Sequence, residues 1–206
     1  MTKTRRNPEV TRTTILDAAE EIFLAQGYSA TPISQIARRA GVAKSLIHHH
    51  FTSKSNLWME VKKRRFVPIA RQQLELQENT RPSLAMMNAA IRLQFEFLEK
   101  NPQIIRIISW MFLEQDNSEV VELDRKLIQT TVETLRKSQR MNILRGDIDA
   151  RFILMAVDAL LMHWFQHKEY FMGVLGTDGL TGNLNEAYIG AVQKIIYEGV
   201  LAKQTP

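Results

Sequence analysis

Lys44, Ser45, His48 and His49 form two i, i+4 pairs, Lys44 with His48 and Ser45 with His49. On a helix those pairs put an ammonium, a hydroxyl and two imidazoles on one face. Such donors suit phosphate oxygens and the edges of bases rather than bond-breaking chemistry. The elements that must hold them are legible around them. The stretch Thr31–Phe51 reads TPISQIARRAGVAKSLIHHHF. Ile33, Ile36, Ala37 and Ala40 recur at helical spacing and predict a short amphipathic helix. Thr31 can cap its free N–H groups, and Pro32 suits a first position that needs no N–H. Gly41 follows the last apolar position, where a left-handed residue ends a helix. A second helix is predicted from about Ala43 to Phe51, with Ile47 and Phe51 facing inward. Residues 32–51 thus have the layout of a helix-turn-helix, whose second helix offers its N-terminal side chains to base edges. An ordinary helical hairpin with solvated Lys and His residues shares the periodicity.

The flanks favour the helix-turn-helix. Upstream, Ile15, Leu16, Ala19, Ile22 and Phe23 line one side of a helix that ends at Gly27. Downstream, Ser53 can cap a third helix starting Lys54-Ser55-Asn56-Leu57-Trp58. Lys54 there opposes the macrodipole, and an outside anion such as phosphate would compensate it. The stretch from about Thr11 to Trp58 resembles the DNA-binding domain of the tetracycline-repressor (TetR) family of bacterial regulators. The matching residues are Arg12…Ile15-Leu16-Asp17-Ala18-Ala19…Phe23…Gly27-Tyr28…Thr31…Ile36-Ala37…Ala40-Gly41-Val42…Lys44…His49-His50-Phe51…Ser53-Lys54…Leu57. A run at Asn101-Pro102 and Arg106-Ile107-Ile108 also resembles the ligand domain of some members.

The resemblance implies DNA contacts residue by residue. Thr31 would donate to a phosphate, Lys44 and Ser45 would meet base edges, and His49 and Lys54 would grip phosphates. Three residues depart from the family pattern. Ala43 stands where a capping Ser is common, which removes a cap worth about 1 kcal/mol. Leu46 replaces a frequent Thr, exchanging a hydroxyl contact for apolar contact with a thymine methyl. His48 replaces a usual Tyr, so binding should strengthen on protonation if the ring nears a phosphate. His48-His49-His50 does not predict a metal site. Consecutive helical residues diverge by about 100°, and thiols and carboxylates are missing nearby. No cofactor is expected.

Charge divides along the chain. Met1–Arg71 carries 13 Lys+Arg against 5 Asp+Glu, a net of +8. Gln72–Pro206 carries 14 against 17, a net of −3, within a whole-chain charge of +5. A basic first third on a mildly acidic remainder is the footprint of one nucleic-acid-binding end. With 45% hydrophobic and 24% charged residues the chain is expected to be globular, without a membrane span or a secretory signal. The absence of cysteine excludes disulfides and thiolate metal sites, and suits a cytoplasmic location.

The expected fold class is all-α: an N-terminal three-helix DNA-binding bundle, residues 1–71, and a C-terminal helical ligand-binding and dimerisation domain, residues 72–206. Met1 to about Asn7 reads as a loose basic arm with Arg5 and Arg6. Helices are expected at about 8–26, 32–40, 43–51 and 54–78, the last kinked or broken by Pro68. Further helices follow at about 82–100, 102–115, 118–140, 149–171 and 185–202, with a glycine-rich loop at 173–185. The cluster Lys62-Lys63-Arg64-Arg65 reads as a solvated face.

An apolar effector pocket is expected from Phe95, Arg106, Trp110, Met111, Met155, His163, Trp164 and His167, although aromatic residues at this spacing usually form core. The resemblance implies that its effector changes the spacing of two DNA-binding heads. The apolar stripes Phe152, Met155, Ala156, Ala159, Leu160 and Tyr188, Ala191, Val192, Ile195, Ile196 predict a homodimer through a four-helix interface, reading a palindromic duplex. The function expected is a DNA-binding transcriptional regulator, a repressor under small-molecule control. A helical enzyme with a basic face is the competing class, but the chain has no phosphate loop, no Cys nucleophile and no zinc-hydrolase motif around His163 and His167. An architectural DNA binder without an effector is the third, and a dry, closed second domain would favour it.

Overall fold

Asn7 starts the first helix: its side chain accepts from the Glu9 N–H, and Pro8 fills the first position. The computed structural model describes residues 7–116, 122–177 and 182–201. In chain order the helices are α1 (Pro8–Gln26), α2 (Ile33–Ala40), α3 (Lys44–Phe51), α4 (Lys54–Asn79), α5 (Leu84–Lys100), α6 (Pro102–Leu113), α7 (Glu122–Arg140), α8 (Ala150–Leu175) and α9 (Leu184–Val200). Among the described residues there is no strand, only an isolated bridge between Leu144 and Leu201. No described helix is long and apolar enough to cross a membrane. The expected basic arm with Arg5 and Arg6, the start of the seventh helix at Ser118, and residues 178–181 of the glycine-rich loop lie outside the described residues.

Several boundaries differ from expectation for local reasons. Pro68 does not break α4, which stays helical through it. Ser83, not Pro82, starts α5, its hydroxyl accepting from the Met86 N–H. The Asn101 side chain serves the helix behind it, donating to the Phe97 carbonyl at 2.8 Å. Helix α8 runs to Leu175 and stops at Gly176, whose φ is 74°.

The described chain forms two compact units. The first takes in residues up to Val67 and returns from Arg106 to Asp116; the second holds Pro68–Ile105 and the described residues from Glu122 onward. The expected single cut at residue 71 therefore misses the return of α6. That return is invisible to local patterning because it rests on contacts far apart in sequence.

In the first unit Ile15, Ala19 and Phe23 of α1 pack with Ile36 of α2, Ile47 and Phe51 of α3, Leu57 and Val61 of α4, and Ile107 of α6. Trp58 meets Phe23 edge-on, with ring centroids 5.1 Å apart. The end of α6 is tied in by polar bonds. Trp110 Nε1 donates to the Leu24 carbonyl at 3.2 Å, and Glu114 accepts from the Tyr28 and Ser29 N–H groups. Asp116 accepts from Trp58 Nε1 at 2.8 Å and from the buried Lys62 at 2.9 Å.

Gly27 and Gly41 both have positive φ, at 83° and 65°. A Cβ at Gly41 would meet nothing within 4 Å, whereas one at Gly27 would lie 2.5 Å from Glu114 Oε1 and 2.8 Å from Trp110 Cε3. Gly41→Ala should therefore cost only the left-handed backbone, about 1 kcal/mol. Gly27→Ala must also displace a rigid indole and should cost about 3 kcal/mol. Urea melts of the two variants check this ordering, and equal midpoints would contradict it.

Candidate nucleic-acid interface

Helix α3 is an eight-residue rod whose orientation is set from beneath. Ile47 and Phe51 are 1% and 3% exposed in the first unit's core, while Lys44, Ser45, His48 and His49 are exposed and Leu46 is half-buried. Its start is joined to α2 by a tight turn: Gly41 adopts a left-handed conformation, and Val42 N–H donates to the Ala37 carbonyl. Ala43 sits at the N-cap and provides no side-chain bond, so the first amides of α3 lack a side-chain cap.

Cations in this unit are unevenly committed. The run Lys62-Lys63-Arg64-Arg65, expected as a solvated face, is spent on intramolecular pairs. Lys62 pairs with Asp116, Lys63 with Glu60, Arg64 with Asp17, and Arg65 with the buried Glu20. Arg12 pairs with Glu60 and lies over the Phe51 ring, and Arg39 pairs with Glu21. Partial burial opposes ionisation of Glu60, but hydrogen bonds from Lys63 and Arg12 hold its carboxyl below the usual range. Lys44 and Arg38 are exposed, and their side chains have no ion-pair or hydrogen-bond partner among the described residues. Arg38 is not among the expected contacts; its only sequence signal is its place on the polar side of α2.

Three expected contacts are placed differently from a free outward projection. Thr31 is fully buried, and its hydroxyl donates to the Gly27 carbonyl at 2.6 Å. It neither caps α2 nor faces outward, because the turn at Gly27 leaves a carbonyl that this hydroxyl satisfies. Pro32 is the N-cap of α2, without a side-chain bond. Lys54 Nζ lies 4.3 Å from the Tyr28 ring centroid and 3.4 Å from the Ser29 carbonyl. Partial burial lowers its pKa, with the Glu114 charge acting in opposition. His48 Nδ1 is 3.2 Å from the Thr52 carbonyl.

A cavity of about 430 Å³ is lined from α4, α5, α7, α8 and α9, among others by Gln77, Met87, Ile91, Thr131, Leu161 and Asp158. Of the eight residues expected to line a pocket, Met155 lines this one. Phe95 is buried against Phe165, and Trp164 stacks on Tyr188 at 4.2 Å while donating to Asn185. His163 and His167 are exposed and stack on each other at 4.4 Å. Arg106, Trp110 and Met111 belong to the first unit.

On α8, Phe152 and Met155 are 63% and 64% exposed, Ala156 and Ala159 are exposed, and Leu160 is half-buried. On α9, Ile195 is 63% exposed and Ala191 is exposed, but Val192 and Ile196 are buried and Tyr188 is half-buried, its hydroxyl donating to the Leu160 carbonyl. The outward stripe of α9 is therefore narrower than its apolar periodicity suggests.

A short rod of exposed donors, seated on a helical core and preceded by a tight left-handed turn, defines a helix-turn-helix DNA-binding protein. Residues 15–61 match the family described as "Bacterial regulatory proteins, tetR family", and residues 89–193 match "Tetracyclin repressor-like, C-terminal domain". The chain belongs to the TetR family. It is 33% identical over 94 residues to the HTH-type transcriptional activator FasR of Mycolicibacterium smegmatis, which takes in 46% of this chain and 43% of that protein. The chain thus spans less than half the length of this relative. It is 24% identical over 189 residues to an HTH-type transcriptional repressor of Streptomyces coelicolor, covering 88% of this chain and 95% of the other. The crystal structure of NalD, the secondary repressor of the MexAB-OprM multidrug efflux pump in Pseudomonas aeruginosa, shares the fold. It has a TM-score of 0.65 and 23% identity over 96% of this chain and 100% of that one.

Proposed function

We propose that the chain is a sequence-specific regulator of transcription that binds a palindromic DNA operator as a homodimer and acts as a repressor under a small apolar effector. The observation that carries this reading is the outer face of α3, where Lys44, Ser45 and His49 are exposed and Lys44 is unspent. Lys44 and Ser45 read base edges, with Lys44 suited to guanine O6 and N7. The uncapped amides of α2 and α3, with His49, Lys54 and Arg38, take phosphates. Leu46 is placed for apolar contact, and Ala43 lets the backbone approach closely. Thr31 acts from behind, holding the turn that starts α2.

Two subunits are required because one short helix makes too few contacts for specific binding. Exposed Phe152, Met155, Ala156, Ala159, Ala191 and Ile195 supply the mating face, a four-helix contact of α8 and α9 with their symmetry mates. The cavity supports the effector over the architectural reading, which would need a filled interior. The repressor named in Streptomyces coelicolor, similar along most of its length, supports the negative sign.

Selection from a random DNA pool tests the proposal: the enriched site should be a palindrome with half-sites one helical turn or a multiple apart. Its affinity should fall by about 0.9 log units per log unit of salt for each phosphate contacted. A pool that returns no motif, or RNA bound in preference, would overturn it.

A further inference from the structure

The cavity of the second unit has an uneven chemistry. Its wall is built mainly from Met, Leu, Ile and Val side chains, with Gln73, Gln77, Gln94, Thr131, Thr134 and Tyr197 as its neutral polar members. One carboxylate, Asp158, is present, and no Lys, Arg or His lines it. Asp158 has no hydrogen-bond or ion-pair partner among the described residues. It sits on the same face of α8 as Leu154 and Leu161, both of which also line the cavity. The residue is exposed in the absence of a ligand, and the apolar side chains crowding its carboxyl push its pKa up.

A second unmet group lies in the same wall. Gln77 Nε2 donates to Thr131 Oγ1 at 3.0 Å, and Thr131 spends its own proton on the Leu127 carbonyl at 2.9 Å. That chain of donors fixes the amide orientation, since Thr131 must accept from Gln77. Gln77 Oε1 is thereby left buried without a hydrogen-bond partner. A buried acceptor without a donor is destabilising by itself and calls for one from outside. Both unmet groups are acceptors: they call for a cation or a hydrogen-bond donor, and neither calls for an anion.

We infer that this cavity takes an apolar ligand carrying a single protonated amine, with Asp158 as its counter-charge and Gln77 Oε1 as an acceptor for a donor on the same molecule. The inference rests on the effector reading above and narrows it to a chemical class. The volume lies within the roughly 300–1,000 Å³ of pockets that take small organic ligands. An acyl chain ending in a carboxylate would bury its charge beside Asp158 and is disfavoured.

Three ten-carbon probes of equal length and different head group test this: decylamine, decanol and decanoate, titrated calorimetrically into the full-length protein at pH 7. The amine should bind at least about tenfold more tightly than the alcohol, and the acid most weakly. Asp158→Asn should remove the advantage of the amine while decanol still binds, the alcohol serving as the check that the cavity is intact. Decanol binding as tightly as decylamine, decanoate binding best, or an unaltered amine preference in Asp158→Asn would overturn the inference and leave the cavity as an effector site. If none of the three bound, the effector reading and the inference would fall together.

Discussion

Replacing Ala159 and Ile195 together by Glu should give a chain that keeps its helical content, sediments as a monomer and loses at least about a thousandfold in operator affinity. Both residues are exposed, so neither carboxylate displaces core. In a two-fold interface each substitution is repeated across the axis, setting like charges against one another in a contact that apolar burial must drive. Specific dimers bind their sites at about 10⁻⁸–10⁻¹¹ M, whereas one head held mainly by phosphates falls towards the non-specific range of about 10⁻⁴–10⁻⁶ M. Sedimentation, circular dichroism and operator titration on one preparation separate assembly from folding. A double variant that stays dimeric and binds normally would move the mating face elsewhere.

The helices and the exposed face of α3 were legible in the sequence because both depend on short-range periodicity. Ile47 and Phe51, four apart, state which side of α3 is buried, and Lys44, Ser45, His48 and His49 follow on the opposite side. The same reasoning fails where the partner is distant. Nothing near Trp110 indicates that its indole N–H meets the Leu24 carbonyl, so an aromatic residue on an apolar helix reads as pocket lining. Thr31 reads as a cap because its neighbour is Pro32, yet its hydroxyl turns back to Gly27. The cavity is assembled from five helices, and Tyr197 is its single aromatic lining residue. Its one visible mark is Asp158, the one carboxylate within the apolar run Phe152–Phe165.

Lys44 and Lys54 separate reading from gripping. Lys44 is exposed in the first turn of α3 and unpaired, so its ammonium is free to donate to a guanine edge. Lys44→Ala should cost about 1–3 kcal/mol per half-site, and because the loss falls on the preferred bases, selection should return a palindrome degenerate at one position in each half. Both half-sites are affected, so affinity for the best operator should drop by about two to four orders of magnitude. Lys54 differs in kind. Its ammonium already rests on the Tyr28 ring beside the Ser29 carbonyl, a position that restricts it to a point charge near the backbone rather than a probe of base edges. Lys54→Ala should weaken every sequence alike and lower the salt slope by about 1 per half-site. Removing the contact with Tyr28 also touches the fold, so melting curves must accompany the titrations. If Lys54→Ala altered the recovered motif while Lys44→Ala left it sharp, the two roles would be exchanged, and α3 would be a spacer rather than the element that reads the groove.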